Sequence, residues 1–485
     1  MALATASLQR GKVREEAREL PVLATADVVV AGGGMGGYPA AIAAARTGAR
    51  TILLERCGFL GGMLTACLAG RFCWENDENG RQIIAGIWEE TKQRLVALNA
   101  CPGTLKFDGP MYGPHITIPP SATNTPFDPE MLAYVAMGMA QEAGVNILLH
   151  TTVVGVVKDG DRVRGVIVES KSGRAAVMGK VVVDATGDAD VCHAAGVPIQ
   201  KGRDSDGRMM GLSLHMHAVG VQPGPLWAYV QTHPDDVPRW ARLVPVGGGP
   251  LPAHLEMMRF ACHGFQASMQ AAKSRGELYF TSGELGIWPA MGAGEVEINV
   301  TRVEADGTEI AGLTRAQLEC RKQAVSIMGF LRRNIPGFQN AYISKTAPEV
   351  QRRDTRRIVA DYVMSARDIL AGTEFPDAVA KGSYPVEVHN PETGQREWQI
   401  PRRSYQIPYR IFHPQGVENL IVGTGRSLSA THEALGALRV NPIPMAVGQA
   451  AGVAAGLAAR LGVTPAELDT SEIREALGRQ DVVLD

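Results

Sequence analysis

Short apolar runs alternate with polar or glycine-rich breaks along most of the chain. Residues 27–31, DVVVA, are a β-branched run typical of a buried parallel strand. YPAAIAAARTGA at 38–49 reads as a helix, because alanine is the best helix former. Pro39 lies in its first turn, where a missing N–H is tolerated, and Gly48 is a C-cap. RTILLE at 50–55 is a second strand, ending on Glu55. A helix is predicted to start near Asp128, with Pro129 at its first position. Strands are predicted over 145–150 and 152–157, and Asp159-Gly160 signals a hairpin. VMGKVVVD ends a further strand at Asp184. EVEINVTRV (295–303) alternates as a strand does, and LTRAQLECRKQAVSIMGFLRR (313–333) reads as a helix stopped by Pro336. NLIVG (419–423) is a strand, and MAVGQAAGVAAGLAARLG (445–462) is a helix of small residues suited to close packing. The stretch 220–255, rich in Pro, Gly and Trp, reads as a loop or lid.

The break after DVVVA is GGGMGG, with Gly32, Gly34 and Gly37 in GxGxxG spacing and Met35 and Gly36 between the last two. Glycine costs conformational entropy, so such a cluster needs a reason. Here it joins a strand to a helix, and an acid, Glu55, follows about twenty residues on. In that context the first glycine makes the turn, the second admits a pyrophosphate and the third lets helix and strand pack. The helix N-terminus attracts the anion. Glu55 can accept from a ribose diol and would repel a 2′-phosphate. The competing reading is a βαβ unit with no ligand.

The 485 residues suffice for a large core and two domains, and 20% charged with 45% hydrophobic residues is a globular balance. A net charge of -2 gives no reason to expect nucleic acid or an anionic membrane surface. No run of about 18 apolar residues suggests a membrane span. Seven scattered cysteines without a CxxC pair argue against disulfides, structural zinc or an iron–sulfur site, so no metal and a reducing, cytoplasmic setting are expected.

ERCGFLGGM adds Glu55-Arg56 and then Gly61-Gly62-Met63. It resembles the second glycine pair of flavoproteins with two dinucleotide-binding domains. With GGGMGG, VDATGDADV, QRRDTRRIVADYV, IPYR (407–410) and GRSLSATHEALGALRV, the chain resembles FAD-dependent oxidoreductases grouped near the flavoprotein subunits of fumarate reductase and heterodisulfide reductase. The resemblance implies an α/β fold: a discontinuous, glutathione-reductase-like Rossmann domain for FAD, with an inserted α+β substrate domain. The expected boundaries are an arm over 1–25, FAD-domain parts over 26–200 and 405–485, and an insertion over 201–404. It also implies that a meander around Val154 returns to the FAD through Ala185, Thr186, Gly187 and Asp188. Gly425 and Arg426 stand where many such enzymes carry an aspartate for the ribityl chain, and Asp188 is the alternative acid. Asn441, Ile443 and Pro444 open the last helix, whose dipole would face the flavin pyrimidine edge.

Flavin chemistry needs a substrate carbon held near N5, an acid or base for the second hydrogen, and donors for developing charge. The catalytic candidates are therefore His215 and His217, which alternate in LHMHA, together with Arg353, Tyr409, His432 and Arg439. For the His pair the competing reading is packing or surface. For Arg353, Arg356 and Arg357 it is ion pairing with Asp354 or Asp361. Cys67, Cys73 and His193 are candidates for a covalent flavin link. The expected partners are a small-molecule substrate and an external electron acceptor or oxygen, with a homo-oligomer left open. Hydride transfer as a dehydrogenase, oxidase or ene-type reductase is the first functional reading. An NAD(P)H-dependent monooxygenase and a non-catalytic flavin-binding subunit are the others.

Overall fold

The computed structural model describes residues 6–9, 12–111, 119–251, 255, 259–280, 284–390 and 396–484. The β-branched runs build a seven-stranded sheet. Its parallel part runs Asn146–Leu148, Thr51–Leu54, Val22–Ala31, Gly173–Asp184 and Leu420–Val422. Strands Thr152–Asp159 and Arg162–Ser170 form a hairpin through the expected Asp-Gly turn, and Arg162–Ser170 pairs antiparallel to the first half of Gly173–Asp184. The long strand Gly173–Asp184 thus serves both the meander and the parallel core. Its last residues lie between Val29–Ala31 and Leu420–Val422, which brings the C-terminal segment beside the N-terminal one.

Helix Gly37–Arg46 packs on helix Ile443–Leu461, in which every residue from Ile443 to Ala459 is buried. A helix apolar all round is a core helix. Close approach is possible because Gly448 and Gly452 share one face: a Cβ on either would lie 2.0 Å from Gly36 O or 2.1 Å from Ala40 O. Among the described residues no single helix is long and apolar enough to cross a membrane.

A second sheet of nine antiparallel strands runs Tyr342–Thr346, Met216–Val219, Val296–Asn299, Leu285–Pro289, Phe260–Gly264, Arg239–Pro245, Leu105–Asp108, Thr123–Pro126 and Arg71–Cys73. It draws strands from both sides of residue 201. Helix Ile310–Asn334 buries Cys320, Ala324, Ile327 and Leu331 along one stripe, and most of these share a core with Met216 and Ile298. The loop expected over 220–255 is instead largely ordered: Pro223–Thr232 is a helix and Arg239–Pro245 a central strand. Its Trp residues are packing groups, Trp227 meeting Trp240 and Phe260 edge-on or tilted, and composition alone could not tell that from a lid.

Candidate active site

The glycine turn separates into distinct tasks. Gly32 adopts φ +98°, and a Cβ there would sit 2.5 Å from Ala185 O. A Cβ on Gly37 would lie 1.7 Å from Gly32 O, so this glycine serves helix–strand packing. Gly34 differs: the nearest atom to its would-be Cβ is Gly62 Cα at 3.7 Å. Protein packing therefore does not require glycine at 34. The N–H groups of Gly34, Met35 and Gly36 have no acceptor among the described residues. All three residues line one cavity at the start of helix Gly37–Arg46. Orphan donors beside a helix N-terminus and an open Cβ position suit a pyrophosphate. Glu55 lines the same cavity and braces the turn, with Oε2 accepting from Gly33 N (2.7 Å) and Oε1 from Cys57 N (2.8 Å).

On the far side of the cavity, Ala185, Thr186, Gly187 and Asp188 line the wall. Buried Asp184 orders their turn by accepting from Thr186 N and Oγ1 and from Cys192 N. Asp188 receives Arg426 Nη2 at 2.7 Å. Burial opposes its charge, but Arg426 and Arg352 outweigh burial and hold the carboxyl below its ordinary range. Arg56 pairs with Glu349, which also meets Arg352 at 3.1 Å. Ion pairs thus link the turn to the segment around 350 across this cavity.

A second cavity joins the first. Met35, Met63, Arg352, Thr424 and Arg426 line both. Its other walls include His215, Arg71, Arg353, Arg396, Arg439 and Glu387. His215 Nδ1 lies 2.6 Å from Glu297 Oε1, and Nε2 lies 3.0 Å from the Gln351 amide. Arg71 holds the other oxygen of Glu297. Burial pushes the His215 imidazole down although Glu297 pulls it up. Burial opposes charge on Glu297 too, but Arg71 and His215 keep its carboxyl near 2. The result is a neutral imidazole oriented by a carboxylate.

A profile of the family described as FAD dependent oxidoreductase matches residues 27–477. The chain belongs to that family. FAD is therefore its cofactor, and the cradle around Gly34 fits it. Solved structures of similar fold include a geranylgeranyl bacteriochlorophyll reductase-like protein from Thermoplasma acidophilum, 14% identical over 95% of this chain and 84% of the other, with a TM-score of 0.47. The flavin-dependent brominase Bmp2 is 13% identical over 94% and 84%, with a TM-score of 0.47. Anhydrotetracycline hydroxylase from Streptomyces rimosus is 13% identical over 95% and 68%, with a TM-score of 0.45. No curated protein matches.

The remaining expected residues distribute unevenly around the FAD site. Arg56, Gly62 and Met63 line the cradle, whereas Gly61 stands just outside it with φ +103°. Asn441 and Pro444 line the second cavity; Ile443 is buried beside them. Arg426 lines both cavities, but a Cβ on Gly425 would meet Leu438 O at 2.0 Å, a packing role. Val154 is exposed, and its neighbour Val153 lines the cradle instead. His217 is buried outside both cavities, with Nδ1 2.9 Å from Glu295 Oε1. Tyr409 also lies away from them and donates to Pro465 O at 2.7 Å. His432 Nδ1 is 2.8 Å from Asp354 Oδ2, and Arg357 bonds the other oxygen of Asp354. Arg356 pairs with Asp190. Cys67 and His193 do not line either cavity, while Cys73 lines the second, its thiol pushed up to about 12 by burial.

Several residues escaped the sequence reading: Arg71, Gln351, Glu387, His389 and Arg396 of the cavity wall, and Glu297 behind His215. One signal did exist. LHMH and EVE both alternate with period two, and on the paired strands His215 meets Glu297 while His217 meets Glu295.

Proposed function

We propose that this enzyme moves a hydride between FAD and a small organic anion held in the arginine-lined cavity. The observation that carries the reading is the junction: five residues belong to both the FAD cradle and a cavity walled by guanidinium groups. Bound FAD supplies a two-electron carrier that exchanges hydride at N5. The chain's own groups bind, orient and handle the proton. Arg353, whose one described acceptor is Gly211 O at 2.9 Å, turns its remaining donors to an anionic group. His215, neutral and fixed by Glu297, takes the proton that leaves with substrate oxidation or returns it in reduction. An external acceptor or oxygen then accepts the two electrons. The segment GRSLSATHEALGALRV, which carries the resemblance to fumarate reductase and heterodisulfide reductase flavoprotein subunits, supports the reading by contributing Arg426 and Arg439 to the cavity walls.

The test is anaerobic mixing of oxidised holoenzyme with saturated carboxylic acids and their neutral amides, and of dithionite-reduced holoenzyme with the unsaturated counterparts. The flavin absorbance should change with anions alone. Arg353→Gln should raise the concentration needed by roughly 30- to 100-fold, the value of a charge-assisted pair. Equal reaction with neutral amides, or an unchanged Arg353→Gln, would refute it.

A further inference from the structure

The hairpin Val386–His389 with Arg396–Gln399 projects alternate residues into the second cavity: Glu387 and His389 from one strand, Arg396 and Trp398 from the other. Glu387 is buried there and accepts from Tyr384 Oη at 3.0 Å. Its carboxylate lies 3.5 Å from Arg396, 3.5 Å from His389 and 3.7 Å from Arg439, longer than good charge-assisted bonds. Glu284 also meets Arg396, at 2.9 Å, but it is already paired with Arg239. Arg353 has no carboxylate partner among the described residues. Among the described residues Arg353, Arg396 and Arg439 therefore share Glu387 as the one carboxylate of their own, which leaves positive charge in excess. Arg302 stands behind them, bonded to Asn299 Oδ1 and Thr301 O.

Uncompensated buried charge is costly, so something that enters this cavity must supply the balance. Buried donors that lack an acceptor here among the described residues include Arg439 Nε, Arg352 Nε and Trp288 Nε1. The electrostatics agree. Burial and then Arg302 and Arg439 press the Arg353 guanidinium well below its ordinary value, and Arg302 falls to about 10 through burial and Arg396. Burial opposes the Glu387 carboxylate, yet His389, Arg396 and Arg439 hold it ionised.

We propose that Glu387 is a specificity-determining residue that limits the negative charge the substrate carries. It neutralises part of the guanidinium charge around it and leaves the excess to the ligand. This rests on the anionic-substrate reading above. Each further carboxylate on the ligand gains from the guanidiniums but meets the repulsion of Glu387.

The test titrates oxidised holoenzyme with butyrate, glutarate and propane-1,2,3-tricarboxylate, following the flavin difference spectrum. The three affinities of the wild type set the reference order. Glu387→Gln should improve the tricarboxylate relative to glutarate by about tenfold or more, one favourable charge contact. Glu387→Asp, which keeps the charge, should retain the wild-type order. Arg353→Gln should shift the order the opposite way, towards butyrate, and decides the matter if Glu387→Gln does not fold. An unchanged order in both charge-altering variants, with flavin retained, overturns the role of Glu387 alone. No response of the wild type to any of the three anions overturns the anionic-substrate reading with it.

Discussion

Alanine at Gly34 and alanine at Gly37 should fail in different ways. At Gly37 a Cβ would fall 1.7 Å from Gly32 O, where ordinary contact begins at 3.4 Å. Helix Gly37–Arg46 would have to retreat by about 1.5 Å from a strand it packs against, and overpacking of this kind costs roughly 1–3 kcal/mol or more. At Gly34 the nearest atom is 3.7 Å away, so Gly34→Ala should leave apoprotein stability within about 1 kcal/mol of wild type. The space its methyl takes is the space beside three orphan N–H groups that would receive the FAD pyrophosphate. Keeping the phosphate off those donors should weaken FAD roughly 100-fold, about 2.7 kcal/mol. The assay is paired: thermal unfolding of apoprotein, and flavin fluorescence titration for FAD affinity. The reasoning fails if Gly34→Ala keeps wild-type affinity, or if its apoprotein melts as low as that of Gly37→Ala.

Acid should destabilise the protein early. Burial holds the imidazoles of His215, His263 and His389 below the ordinary histidine value, and His413 at about 4. Below pH ~6.5 the unfolded chain binds these protons and the native state does not, so stability falls as pH falls, by about 1.4 kcal/mol per imidazole per pH unit until its native pKa is reached. A melting temperature that stays flat from about pH 7 to about pH 5 would show that these side chains protonate freely in the fold. FAD should be released by acid precipitation, because burial keeps the Cys73 thiol protonated and Cys67 and His193 lie off both cavities; flavin retained in the pellet would contradict this.

The FAD half of the protein was legible because its information is local. A β-branched run, a glycine turn, an alanine helix and a second strand occupy about thirty consecutive residues, and the spacing alone assigns their contacts. The structure refined this half in detail: Gly425 packs against Leu438 O, and Val153 rather than Val154 lines the cradle. The second cavity was legible only in part. His215, Arg353 and Arg439 stood out as candidates, but Arg71, Glu297 and Glu387 look like ordinary polar residues in their own segments, and the six are scattered over most of the chain. Their meeting depends on which strand pairs with which, and on register, where a slip of one residue turns every side chain to the other face. The strand Gly173–Asp184 joins the first and last segments, and the nine-stranded sheet carries Arg71 and Glu297 to one side of a cavity. Thus the sequence by itself determined the cofactor cradle, whose contacts span few residues. Tertiary structure alone decided the charge and shape of the cavity beside it, because those arise from long-range pairings that no local pattern encodes.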